Sequence, residues 1–138
     1  MRGPERFEQL IAFIDSHLAQ PVRQDTSADG SVTFVSGDPA EVVVRLTRTS
    51  IFVFEYSASW EEPHTLTPRP RQVGTVNWRR LPEHAVMTAA LALMKGAREV
   101  RLEKYRVCQT CGERTPPESI YEDDVCLACA EQQMGMVH

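Results

Sequence analysis

Apolar residues Phe7, Leu10, Ile11, Ile14 and Leu18 recur at helical spacing behind Pro4 and Glu5, a favourable first turn, and Pro21 stops the run. The pattern predicts an amphipathic helix of about four turns. Between Val22 and Arg80 the period changes. β-Branched and aromatic clusters at Ser31–Ser36, Val42–Arg48, Ile51–Trp60 and Val73–Arg80 are separated by turn residues, with Asp29-Gly30 and Gly37-Asp38-Pro39 at the first two joints. Short joints favour antiparallel neighbours, so the segment predicts a meander of four strands, or five if Val22–Thr26 also pairs. The joint from Glu61 to Gln72 is the long one.

Alternation is clearest in Ile51–Trp60, where Ile51, Val53 and Glu55 face one way and Phe52, Phe54, Tyr56, Ala58 and Trp60 the other. The aromatic set is the expected core face. A second helix opens at Pro82 and carries Val86, Ala89, Ala90, Leu93, Ala97 and Val100 as a stripe of about six turns. An α+β fold follows: an antiparallel sheet of four to five strands, flanked by an N-terminal and a C-terminal helix, with a small cysteine-bearing module behind it. The sequence shows no internal repeat and no low-complexity segment.

Charge divides the chain near residue 104. Residues 1–104 hold thirteen basic and thirteen acidic side chains, whereas residues 105–138 hold two basic and six acidic ones, which accounts for the whole net charge of −4. All four cysteines lie in the same tail. Two modules are therefore expected, 1–104 and 105–138, the second too small to fold on apolar burial alone.

Cys108, Cys111, Cys126 and Cys129 form two C-x2-C pairs separated by fourteen residues. Four thiolates can surround one tetrahedral Zn²⁺, and the two-residue spacing lets each pair turn about the metal with backbone N–H groups aimed at the sulfurs. Gly112 suits the reversal after the first pair. Asp123 and Asp124 are the expected cap of a short helix bearing Leu127, Ala130 and Met134 and ending at Gly135. The spacing favours zinc over two disulfides, which suit a secreted chain, and over a redox pair, which is normally single. Four sulfur ligands leave no open position for a catalytic water, so the metal is expected to be structural.

Cys-Gly-Glu at 111–113 and Cys-Ala-Glu at 129–131, in the order of turn, hairpin and helix, resemble the four-cysteine treble-clef zinc finger of the DksA/TraR family of transcription regulators. The likeness spans 108–131 and implies the finger fold and zinc. Strands and one helix precede Cys108 here instead of a long helical hairpin with an acidic tip, so no polymerase-binding residue is carried over.

Charge argues against nucleic acid at the finger, where Arg106 and Arg114 face Glu113, Glu118, Glu122, Asp123, Asp124 and Glu131. The alternative nucleic-acid surface is Arg69, Arg71, Arg79 and Arg80 beside Trp78, extended by Lys95, Arg98, Arg101 and Lys104. The sequence pI of 5.6 weighs against it. No enzyme motif is present: His17, His64, His84 and His138 make no metal-binding spacing, and Glu55, Glu61 and Glu62 have no evident basic partner.

No apolar run reaches the roughly 18 residues of a membrane span, and the N-terminal stripe, broken by Asp15 and His17, is no secretory core. The sequence-based expectation is thus a cytoplasmic, non-catalytic zinc protein that acts by binding another protein or a second copy of itself, most simply as a homodimer. Nucleic-acid regulation through Arg69–Arg80 is the alternative.

Overall fold

A computed structural model of the chain describes residues 3–62 and 65–133. Helix α1 (Gly3–His17) leads into strands β1 (Val22–Thr26), β2 (Val32–Ser36), β3 (Val42–Leu46) and β4 (Ile51–Glu55). The chain then leaves the sheet as a ribbon, β5 (Ala58–Glu62) with β6 (Thr65–Pro68), and returns as β7 (Arg71–Val76). Helix α2 (Glu83–Glu103) follows, and the tail holds β8 (Arg106–Val107), β9 (Arg114–Thr115) and α3 (Leu127–Gln133). The main sheet is antiparallel in the order β1-β2-β3-β4-β7, the five-stranded form of the expected α+β fold.

Register decides which face is the core. Phe34, Val44, Val53 and Gly74 stand side by side across four strands, as do Val32, Leu46, Ile51 and Val76, and all but Gly74 are buried. The aromatic residues of the 51–60 segment lie on the opposite face, contrary to the sequence reading. Phe52 is flanked by Arg45 and Thr75, and Phe54 by Val43 and Gln72, so three of the four neighbours are polar. Ile51, Val53 and Glu55 point inward instead. The expected single strand also breaks after Glu55, and Trp60 ends up half-exposed on the β5–β6 ribbon, hydrogen-bonded toward the tail.

Both helices cover one face. α2 lies on β3, β4 and β7 through Val86, Ala90, Met94 and Ala97, while Phe7, Leu10, Ile14 and Leu18 of α1 join the same buried cluster. Gly74 lets α2 come close: a Cβ there would meet the Leu93 side chain at 2.5 Å. Val100, expected in the stripe, is exposed, and Met94 takes part in its place. The other face carries Thr33, Val35, Val43, Phe52 and Phe54, all half-buried, and no described helix lies over it. No described helix is long and apolar enough to cross a membrane.

Candidate metal centre

Gly112, at φ +77, makes the reversal that the first cysteine pair needs, in a left-handed conformation that a side chain resists. Its N–H donates to the Cys108 carbonyl at 2.9 Å, while the Cys108 N–H donates to the Glu113 carbonyl at 2.9 Å, so β8 and β9 clasp a tight knuckle. The chain returns through an antiparallel bridge between Ile120 and Cys126, and the Gln109 N–H binds the Asp124 carbonyl at 2.8 Å. Those two links bring the second pair against the first. Asp123 and Asp124 do not cap α3 as expected. They sit at φ 59 and φ 55 in the preceding turn, Asp124 accepts a bond from Arg106 at 3.0 Å, and the helix opens only after Cys126. Met134, Gly135 and His138 of the sequence reading, and His64, lie outside the described residues.

The four Sγ atoms lie within 4.8 Å of one another, with Cys111 and Cys126 at 3.9 Å. A tetrahedron of thiolates about one metal at about 2.3 Å has edges of about 3.8 Å, so the donor set fits. Cys108 and Cys129 are buried and Cys111 is exposed, the profile of a cluster pinned on one side to the protein. Backbone N–H groups of Cys126, Cys111 and Thr110 approach the Cys108 sulfur at 3.3, 3.5 and 3.4 Å and hold that thiol down to about 6. Cys129 is pushed up to about 12, first by its thiol bond to Cys126 and then by burial. The three N–H groups thus favour the thiolate form of Cys108. The four cysteines can hold a metal ion, in an arrangement compatible with a zinc finger.

Neither protein-family models, nor curated proteins, nor solved structures yield a match to this chain. The DksA/TraR likeness therefore stands on the cysteine pattern alone.

The tail is bolted to the sheet by charges that a residue-by-residue reading places on the surface. Arg101, expected on a basic helix face, is 2% exposed and makes a bidentate pair with Glu118, at 2.9 Å from Nη1 to Oε1 and 2.5 Å from Nη2 to Oε2. Its Nε donates to the Ala40 carbonyl at 3.1 Å, and the rings of Tyr56 and Tyr105 each lie 5.1 Å from the guanidinium carbon. Burial opposes the charge of Arg101, but the Glu118 carboxylate outweighs it and raises the pKa. Glu55, which had no evident partner in the sequence, is buried and receives Lys104 Nζ at 2.5 Å. Trp60 Nε1 donates to the Glu118 carbonyl at 3.0 Å, and Arg114 Nη2 to the Leu102 carbonyl at 2.8 Å.

Of the expected Arg and aromatic patch, Arg79 lies over Trp78, its guanidinium carbon 5.8 Å from the ring centroid. Trp78 is buried, with its indole N–H on the Thr47 carbonyl at 2.9 Å, so it has no free face for a base. Arg69 is tied to Glu61 and to Ser59, which also gives Glu61 the partner it lacked in the sequence. Arg71, Arg79 and Arg80 remain exposed. His17 stays on the surface, its Nδ1 at 2.9 Å from the Phe13 carbonyl, and His84 is exposed on the first turn of α2.

Proposed function

We propose that this is a non-catalytic binding protein in which one Zn²⁺, held by Cys108, Cys111, Cys126 and Cys129, fixes the tail while the open face of the sheet docks a protein, in the first instance a second copy of the chain. The observation that carries the reading is the one-sided cover of the sheet. Val35, Val43, Phe52 and Phe54 form a half-buried apolar strip with Val73 at its edge, 39% exposed, and such strips on a solvated sheet face favour association. Four sulfur donors are the set zinc takes in closed structural sites, and a cluster of unpaired thiols suits a reducing, cytoplasmic setting.

Light scattering at micromolar concentration tests the docking face. Twice the 15.6 kDa chain mass is expected for the parent protein, and the single-chain mass for a Val43→Lys variant with an unchanged melting temperature. A parent protein at the single-chain mass overturns the homodimer. Nucleic-acid regulation through Arg69–Arg80 loses Trp78 and Arg69 as contributors. It predicts salt-dependent binding of an oligonucleotide that Arg71→Ala, Arg79→Ala and Arg80→Ala together abolish.

A further inference from the structure

A cleft away from the cysteines reaches down to the edge of the core. It lies between the C-terminal turn of α1, the facing ends of β2 and β3, and the middle of α2, with a volume of about 280 Å³. Leu18, Val42 and Met94 line it, though each is at most 6% exposed as a residue, so its floor is the edge of the hydrophobic cluster. Leu91, among the more exposed apolar residues of α2, stands at the wall.

The rim is cationic. Lys95 lies one turn of α2 beyond Leu91, is exposed, and makes no ion pair among the described residues. Arg98, three residues on, gives only its Nε to Glu41 at 2.7 Å, which leaves its two Nη groups without a described hydrogen bond. Ser36, also in the lining, has its hydroxyl proton committed to the Ala19 carbonyl at 2.7 Å, so it can accept but not donate. An apolar floor under two incompletely used cations selects a molecule with a hydrocarbon or aromatic body and one anionic head. The volume falls just below the range of about 300–1,000 Å³ that serves drug-sized ligands, which restricts the body to a short chain or a single ring.

We propose that this cleft is a binding site for a small amphipathic carboxylate, its apolar body on Leu18, Val42 and Met94 and its carboxylate against Lys95 and Arg98. The site is independent of the cysteine cluster and of the open sheet face, so its fate does not decide either reading above.

The test uses the full, metal-loaded chain and octanoate, with octanol and octylammonium as head-group controls. Calorimetric titration is expected to show saturable one-site binding of octanoate and none of octylammonium, with octanol at least tenfold weaker. Amide shifts in a two-dimensional NMR spectrum are expected to centre on Leu18, Ser36, Val42 and Met94. Lys95→Glu replaces an exposed helix residue, so the fold is expected to keep its melting temperature while octanoate binding weakens on the order of tenfold or more. Leu91→Ala provides a second variant that trims the wall without touching charge and is expected to weaken octanoate and octanol alike. Absence of saturable octanoate binding at millimolar concentration, equal binding of the three head groups, or an undiminished affinity in Lys95→Glu would each overturn the proposal.

Discussion

Arg101 brings a full charge to a position 2% exposed, and among the described residues Glu118 is the acid paired with it. Breaking such a pair from one side leaves an uncompensated buried charge, which costs about 3–5 kcal/mol, whereas replacing both partners with apolar residues of similar volume is often neutral. Glu118→Leu should therefore lower the unfolding free energy by that amount in a urea titration, and Arg101→Met with Glu118→Leu together should recover most of it. A double variant no more stable than Glu118→Leu alone would assign the loss to packing. The cysteines make a different demand. Cys126→Ser removes one ligand from the cluster and one N–H-bearing neighbour of the Cys108 sulfur stays in place, so metal content measured by mass spectrometry should fall from one ion per chain to well under one. Because Glu118 belongs to the same tail, the variant should destabilise the sheet end as well as the finger.

At the scale of elements, α2 shows what a sequence reveals and what it hides. Its start at Pro82 and its apolar period are legible, and so are the strand positions, because period and turn residues are local properties. Arg101 continues the stripe Val86, Ala90, Met94, Ala97 at helical spacing. That spacing is the signal of its burial, but charge alone argues for solvent, and the neutralising Glu118 lies 17 residues away on another element. The inverted face of β4 has the same origin. Alternation shows that Ile51, Val53 and Glu55 share one side, but choosing that side as the core requires the cross-strand neighbours, Leu46 and Val44 against Arg45. The convergence of the two cysteine pairs was legible because residue type and spacing specify it locally. Gly74 was not, since nothing in a strand pattern announces a helix overhead. Gly74→Val should push against Leu93 and cost about 1–3 kcal/mol. In a double-mutant cycle, Leu93→Ala should return part of that loss, which equilibrium denaturation would detect as a coupling between the two sites.

Across the whole molecule, the two tryptophans report on different regions. Trp78 is buried in the sheet core, while Trp60 on the β5–β6 ribbon donates its indole N–H to the Glu118 carbonyl at the tail. Chelation of a metal held by the four cysteines should therefore shift the fluorescence of Trp60, read in a Trp78→Phe variant, before it changes that of Trp78, read in a Trp60→Phe variant. It should also lower the melting midpoint of the entire chain, because a ligand bound only by the folded form at about a thousand times its dissociation constant contributes about 4 kcal/mol. Simultaneous loss of both signals at the first addition of chelator would show that tail and sheet unfold as one unit.

The ion pair between Arg101 and Glu118 also sets an order of events during synthesis. The ribosome delivers Arg101 before Glu118, and Glu118 before the second cysteine pair at 126 and 129. While that stretch is still being made, the sheet and most of α2 can come together, but the last turn of the helix has to hold its guanidinium in water, outside the slot between Tyr56 and Tyr105. The slot closes once the tail has folded back and carried Glu118 into place. Under the proposed zinc reading, metal supply would time that final step. A metal-starved cell would accumulate chains with a finished core and a tail open to proteases.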